Sequence, residues 1–303
     1  MTPPPKKNYF FFGEEGWKRV RREVRVRALI LALPLLRYLP KGLGAALGML
    51  AWYLTPRQRR LAREHLAIAF PEKTEDERDR IGRRSFGNLG RAMLEAARGD
   101  ARNVDLAAGD EAMLRAAQAE GKGVVVVTGH LDNWELFARR IAMLGLPCGT
   151  VAKEAQDPRL TALLKTSRES TGMRVFWRGS PLAARELIRF LKSGGILGIL
   201  IDQDTRVAGH FVPFFGRLAF TPRAAGDLAV RLGAPMIFGC ARKVAGNLHR
   251  IVLRRIDAPR TGDRDQDSLA LTAAATRAIE DEIRANPAGW VWMHPRWRTQ
   301  VPL

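Results

Sequence analysis

One stretch of the sequence places a candidate general base near a candidate carboxylate partner. Residues 124–135 read Val-Val-Val-Val-Thr-Gly-His-Leu-Asp-Asn-Trp-Glu, so His130 and Glu135 are five positions apart. On a continuous helix five residues turn by about 500°, which would leave the two side chains about 140° apart. They converge only if His130 lies in a turn and Glu135 lies in the first turn of the helix that follows. Such a pair suits a general base whose tautomer is fixed by an acidic residue.

The same residues also fit an ordinary helix start. Asp132, the predicted N-cap, forms a capping box with Glu135, and His130 is then only a turn histidine. Spacing alone does not decide between these interpretations. A zinc site is not indicated, because the H-E-x-x-H arrangement is absent and the other histidines are scattered along the chain.

The elements around this stretch predict an α/β fold. From Gly121 onward, short apolar runs alternate with helical patterns. Strands are predicted over 124–127, 148–152, 174–177, 196–201, 236–241 and 250–256. Helices are predicted over 133–144, 159–170, 182–191 and 269–284, with a further helix starting at Thr221-Pro222. This alternation indicates a mainly parallel central sheet covered by helices. His130 would lie at the carboxyl end of a strand, where such sheets place their sites.

The N-terminal region combines apolar runs with positive charge. The runs 28–36 and 42–54 are each shorter than the roughly 20 residues that a spanning helix needs. The first 65 residues hold 14 Lys and Arg against 4 Asp and Glu, which is +10 of the chain's +19. We therefore expect a flexible tail over 1–16, a membrane-associating helical segment over 17–56 and an α/β domain over 57–303. The alternative is that both runs are buried helices of a soluble protein.

The net charge of +19 implies an acidic partner: nucleic acid, an anionic membrane, a phosphorylated lipid or an acidic carrier protein. A nucleic-acid binder is the less favoured class, because no recognised binding motif is present and the charge lies beside apolar segments. The two cysteines, Cys148 and Cys240, lie in apolar runs and predict no disulfide framework.

A set of motifs resembles a known family. Residues 129–135 resemble the His-x4-Asp/Glu motif of the glycerolipid acyltransferase superfamily, and the Asn-Trp-Glu ending is especially similar to the bacterial lipid A lauroyl/myristoyl acyltransferases. Three later stretches match in order. They are Asp202-Gln203-Asp204, the apolar stretch 211–216 with Thr221-Pro222, and the aromatic–basic stretch 290–297. The resemblance covers roughly residues 20–300.

The resemblance implies an enzyme that moves a fatty acyl chain onto a hydroxyl of a lipid A precursor. The donor is expected to be acyl carrier protein, or else acyl-coenzyme A, at the cytoplasmic face of the inner membrane. His130 and Glu135 would be catalytic, and neither a metal ion nor another cofactor is expected. Alternative acceptors are a lysophospholipid, an ornithine lipid or another glycolipid. A non-catalytic membrane protein is disfavoured because His130 and Glu135 are both intact.

Further residues are expected to bind substrate. They are Lys153, Arg178, Asp202, Asp204, Phe211, Phe214, Phe215 and Arg223. Lys153 stands where relatives often carry Arg, so it keeps the charge but loses bidentate phosphate geometry. The phenylalanines would line an acyl tunnel or pack in the core, and the aspartates would orient substrate groups or cap a turn.

Overall fold

The computed structural model describes residues 20–301 except 22, 25, 29, 32–34, 37, 41, 100, 180 and 247. The tail predicted over 1–16 lies outside these residues, as does part of the predicted segment 17–56. Helices in the described part are α1 (Leu43–Leu54), α2 (Pro56–Ala69), α3 (Glu75–Arg98), α4 (Ala108–Ala119), α5 (Trp134–Ala142), α6 (Pro158–Glu169), α7 (Pro181–Lys192), α8 (Ala224–Leu232) and α9 (Arg264–Ala285). Strands are β1 (Val104–Asp105), β2 (Val124–Thr128), β3 (Cys148–Ala152), β4 (Arg174–Trp177), β5 (Ile196–Leu200), β6 (Gly209–Phe214), β7 (Arg217–Pro222), β8 (Met236–Ala245) and β9 (Leu248–Ile256).

The centre of the fold is β2, whose five residues are all buried. Four valines and a threonine suit a strand with both faces covered, because β-branched side chains pack well on a pleated surface. Val125 and Val127 belong to one core cluster, and Val124 and Val126 belong to a second cluster on the opposite face. The sheet is therefore packed between two apolar layers.

The seven-stranded sheet has the order β1-β9-β8-β2-β5-β3-β4. All of its strand pairs are parallel except β8 with β9, which are antiparallel. The predicted α/β fold with a mainly parallel sheet is confirmed. In register, Thr128 at the end of β2 pairs with Leu200 at the end of β5, so the residues that follow both strands meet at one sheet edge.

The helix start predicted at Thr221-Pro222 is wrong. The segments 209–214 and 217–222 form a separate antiparallel hairpin of β6 and β7. Thr221 is therefore a strand residue, and α8 begins at Ala224 with Arg223 at the N-cap position. The buried Thr221 side chain accepts a hydrogen bond of 2.6 Å from Arg296 instead of capping a helix.

The N-terminal helices pack on the body of the fold. Described residues between 20 and 36 are helical, and α1 follows them. Gly44 and Gly48 of α1 face α3 so closely that an added Cβ would overlap the backbone of Gly90 or Phe86. Trp52, one helical turn further on, is buried against Phe86. In the described ranges no helix is both long enough and apolar enough to cross a membrane.

Candidate active site

His130 and Asp202 meet at the carboxyl edge of the sheet. Each lies two residues beyond the paired strand ends Thr128 and Leu200, so the register of β2 and β5 brings them together. The Nδ1 of His130 lies 2.9 Å from Oδ1 of Asp202. A carboxylate oxygen only accepts hydrogen bonds, so Nδ1 carries the hydrogen and Nε2 is left as the basic nitrogen. The His130 side chain is 21% exposed, whereas Asp202 is fully buried.

The other oxygen of Asp202 is also satisfied. Oδ2 accepts hydrogen bonds from the backbone N–H of His130 at 2.7 Å and from the indole N–H of Trp290 at 2.8 Å. Burial alone would raise the pKa of Asp202, but the His130 imidazole and these hydrogen bonds outweigh it and lower the pKa. Asp202 is therefore a carboxylate at neutral pH. Gly129 leaves room for it, since an added Cβ would lie 3.1 Å from the carboxyl group.

Polar and aromatic groups enclose the His130 ring. The amide nitrogen of Gln203 lies 3.1 Å from both ring nitrogens. The rings of Trp134 and His294 have centroids 4.9 and 5.2 Å from that of His130. Burial lowers the pKa of His294 to about 4, and the adjacent His130 charge acts in the same direction. His294 is therefore neutral at physiological pH and adds no competing positive charge beside His130.

Glu135 does not occupy the place that the sequence predicted for it. Asn133, not Asp132, caps α5, accepting a hydrogen bond of 3.1 Å from the Leu136 N–H. The backbone of Leu131 pairs with Trp290, and Asp132 adopts a left-handed φ of 40°. This path turns Glu135 away from His130.

The carboxylate of Glu135 pairs instead with Arg168 of α6, at 2.5 and 3.3 Å. Asp202, and not Glu135, is therefore the carboxylate that fixes the tautomer of His130. The capping box is likewise absent, because the Asp132 carboxylate accepts hydrogen bonds from Asn286 at 2.9 Å and from the Lys243 N–H at 3.1 Å.

The predicted cationic residues divide into two groups. Lys153 and Arg178 follow β3 and β4, so they lie along the same sheet edge as His130, and both are exposed. Arg223 lies in surface ion pairs with Asp227 at 2.9 Å and Asp265 at 2.6 Å. Of these three residues, Lys153 and Arg178 are the ones whose side chains make no ion pair with the described residues.

Asp204 and the predicted phenylalanines have structural surroundings. Asp204 is buried and accepts hydrogen bonds from Arg298 and Thr299. These bonds tie the C-terminal segment, residues 290–301, to the turn after β5. Phe214 and Phe215 are buried in the core, so they do not line an open acyl tunnel. The reason is the hairpin, whose alternation turns Phe214 inward and leaves Phe211 half-buried against Phe220.

An apolar slot opens beside the site and was not predicted from the sequence. It lies between the sheet and α5, with Arg168 of α6 at its wall, and its free volume is about 60 Å³. Its walls include Trp134, Phe137, Ile141 and Met173, with Gly149 and Gly198 on the strands, and the Glu135–Arg168 pair stands among the lining residues. The glycines within two predicted strands were the signal that was missed, because glycine inside a strand often marks a close approach of another group.

The described residues contain no group of three or more His, Cys, Asp or Glu side chains placed to hold a metal ion. The arrangement of His130 and Asp202 suits removal of a proton by Nε2 of His130, with the Asp202 carboxylate placed to stabilise an imidazolium.

The depressed pKa of His294 predicts a pH dependence of stability. A histidine with a folded pKa near 4 and an unfolded pKa near 6.5 binds more protons when unfolded, so the wild type should lose stability as pH falls from about 6.5 to about 4. His294→Gln should lack this contribution, so its free energy of unfolding should fall less than that of the wild type over this window, by roughly 1–3 kcal/mol. Urea unfolding of both proteins across the range measures the difference. Parallel curves from neutral to acidic pH would contradict it.

The chain is similar to enzymes of lipid acylation. The family model for bacterial lipid A biosynthesis acyltransferases matches residues 19–299. The lipid A biosynthesis palmitoleoyltransferase of Escherichia coli (strain K12) is 26% identical over 270 residues, which cover 85% of this chain and 84% of that enzyme. The lauroyltransferase of the same organism is 25% identical over 268 residues, covering 85% of each.

A phosphatidylinositol mannoside acyltransferase of Mycobacterium tuberculosis (strain CDC 1551 / Oshkosh) is 26% identical over 204 residues, covering 65% of this chain and 61% of that protein. The matched family region contains the whole site, from α1 through the C-terminal residues that contact Asp202 and Asp204. The chain is therefore an acyltransferase and belongs to the bacterial lipid A biosynthesis acyltransferase family.

Proposed function

We propose that this enzyme transfers a fatty acyl chain from an acyl thioester to a hydroxyl of a lipid A precursor. The observation that carries the proposal is the His130–Asp202 pair beside an apolar slot. Nε2 of His130 takes the proton of the acceptor hydroxyl as its oxygen attacks the thioester carbonyl. The carbon–sulfur bond then breaks, an ester forms, and the imidazolium returns the proton to the thiolate. Asp202 keeps its charge throughout and stabilises the imidazolium.

The apolar slot suits the acyl chain of the donor. Its walls are mainly apolar, which suits a hydrocarbon chain better than a polar group. Thr128 and Trp134 line the slot close to His130, which would bring the thioester carbonyl to the base.

Positive charge at the sheet edge suits an acidic donor carrier. Lys153 and Arg178 are exposed beyond β3 and β4, on the strands next to the slot. The favoured donor is acyl carrier protein, because acidic surfaces are drawn to exposed cations. Acyl-coenzyme A, whose phosphates suit the same cations, is the alternative donor.

The acceptor is assigned to lipid A on the family and on the two enteric relatives. A different glycolipid is the second candidate, because the mycobacterial relative is a phosphatidylinositol mannoside acyltransferase. Mass spectrometry of lipid A from cells with and without the gene separates the two. Loss of one acyl chain from lipid A is the expected result, and unchanged lipid A with an altered glycolipid would favour the second candidate.

The outer face of α1 suits a membrane surface. Gly44, Gly48 and Trp52 point towards α3, so the opposite face presents apolar side chains to solvent. Its exposed residues are Leu47, Met49, Leu50, Tyr53 and Leu54. Arg83 donates a hydrogen bond of 2.9 Å to the Tyr53 hydroxyl, and Arg57 and Arg60 follow the helix, so cations border the patch. We infer docking on the anionic cytoplasmic face of the inner membrane.

Substitutions at the dyad test the mechanism. His130→Ala should lower acyl transfer by about 10²–10⁴-fold because the base is lost. Asp202→Asn should cause a loss of similar size and shift the pH profile of kcat/KM, since the imidazolium loses its charge partner. Glu135→Gln serves as the matched control, because it alters the pair with Arg168 and leaves the His130 contact in place. If Glu135→Gln shifts the pH profile and Asp202→Asn does not, the roles of the two carboxylates are reversed.

Filling the slot should shorten the preferred acyl chain. An added Cβ at Gly198 would meet only the Gly149 carbonyl oxygen, at 3.7 Å, so a side chain there enters open space. Gly198→Leu should therefore shift the preference towards shorter chains, as measured by competition among acyl donors of graded length. Gly109→Leu, at an exposed position with nothing near its Cβ, is the control. An unchanged length preference in a folded Gly198→Leu enzyme would place the acyl chain elsewhere.

Charge on the outer face of α1 should prevent membrane docking. Leu47 and Leu50 are 54% and 50% exposed, so the double substitution Leu47→Glu/Leu50→Glu should preserve folding. Binding to anionic vesicles should weaken at least ~10-fold, because an apolar contact is lost and a like charge is added. Leu182→Glu/Leu269→Glu changes the charge equally at exposed leucines on other helices. Equal vesicle binding by both double variants would remove α1 from the membrane contact.

A further inference from the structure

A second cavity lies next to the site and shares no lining residue with the apolar slot. Its volume of about 340 Å³ is enough for a small polar ligand. The walls come from α2, from the start of β7 and from the C-terminal segment. The lining residues are Leu61, Glu64, His65, Ile68, Arg217, Leu218, Pro295 and residues 297–301.

The C-terminal segment connects this cavity to the catalytic pair. Its His294 packs against the His130 ring, and the next residue, Pro295, lines the cavity. Arg298 and Thr299, which also line it, bind Asp204, two residues beyond Asp202. A ligand in the cavity would therefore lie beside the elements that hold the base.

His65 offers an unused hydrogen-bond acceptor at the cavity wall. It is 4% exposed, and its Nδ1 donates to the Trp292 carbonyl oxygen at 2.9 Å. Its Nε2 has no hydrogen-bond partner among the described residues, and burial lowers the pKa of the ring so that this nitrogen stays an acceptor. The Trp297 ring packs edge-on at 5.0 Å and fixes the imidazole, while its own buried indole N–H is also without a partner there.

The cavity carries positive charge. Arg217 is exposed at the start of β7, and its side chain makes no ion pair or hydrogen bond with any described residue. Arg298 contacts Asp204 through Nη2 alone, so its other nitrogens remain available. Glu64 is the single carboxylate of the lining, and it lies 3.5 Å from Arg60. Two guanidinium groups with planar donor pairs favour a phosphate group over other anions.

We propose that this cavity binds the phosphorylated sugar headgroup of the acceptor lipid, with Arg217 and Arg298 facing the phosphate and His65 Nε2 accepting a hydrogen bond from a sugar hydroxyl. The proposal rests on the proposed function and adds to it the place of the headgroup. The acyl donor and the acceptor headgroup then occupy separate cavities, both next to His130.

Equilibrium titration of the full-length protein in detergent tests the site without turnover. The probes are N-acetylglucosamine 1-phosphate, N-acetylglucosamine and inorganic phosphate, followed by calorimetry. The sugar phosphate should bind more tightly than either of the other two, because only it engages both the arginines and His65. Arg217→Ala should weaken its binding at least ~10-fold, since a charge-assisted contact is lost. Arg185→Ala, which removes an exposed arginine from α7, should bind like wild type.

Two results would overturn the proposal: equal binding of free phosphate and sugar phosphate, or equal binding by the Arg217→Ala and wild-type proteins. In steady-state assays Arg217→Ala should raise KM for a phosphorylated acceptor ~10-fold with little change in kcat or in donor KM. The titrations are repeated in His130→Ala, which should bind the probe like wild type because His130 does not line this cavity. Probe binding by a wild-type enzyme that does not acylate a lipid A precursor would contradict only the proposed function. Acyl transfer to a lipid A precursor without probe binding would contradict only the proposed headgroup site.

Discussion

The site depends on one buried carboxylate. Leaving a charge such as that of Asp202 in the interior without partners costs several kcal/mol, so it must be fully hydrogen-bonded. Three donors do this: the ring and the backbone N–H of His130, and the indole of Trp290. A different structural feature positions each donor. The register of β2 against β5 places the His130 ring, the turn at Gly129 places the His130 backbone N–H, and the return of the C-terminal segment to the sheet edge places the Trp290 indole. The basic nitrogen of His130 is therefore defined by contacts among residues 130, 202 and 290, which are far apart in the sequence.

The C-terminal segment contacts three residues of the site: His130, Asp202 and Asp204. Trp290 holds Asp202, His294 packs on the His130 ring, and Arg298 with Thr299 satisfies Asp204. Its aromatic side chains also join Phe214 and Phe215 in the core, which explains why these phenylalanines are structural. The slot lies on the opposite flank, where α5 and α6 cover the sheet. In the proposed mechanism, the acyl donor and the acceptor headgroup therefore bind on opposite sides of the strands that carry His130.

Helix α1 has two faces with different surroundings. Small residues allow α1 to approach α3 at backbone distance, and Trp52 anchors it in the core. A helix that is apolar all round needs cover for its second face, and the arginines around that face point to an anionic surface. Because α1 packs closely against α3, it belongs to the enzyme body. Point substitutions on its outer face therefore test the proposed membrane contact and leave this packing in place.

The sequence by itself determined the α/β class, most strand positions and the place of His130 just beyond a strand end, because these follow from local periodicity and from a motif contained within seven residues. It did not determine which carboxylate serves His130. Glu135 is near in sequence, but the bridge between Leu131 and Trp290 and the φ of Asp132 turn it towards Arg168. Asp202 is 72 residues away in the chain and becomes the partner through strand register, which no local pattern encodes. The slot and the second cavity were likewise decided by tertiary structure, since their walls come from segments that meet only when the sheet, hairpin and C-terminal segment pack together.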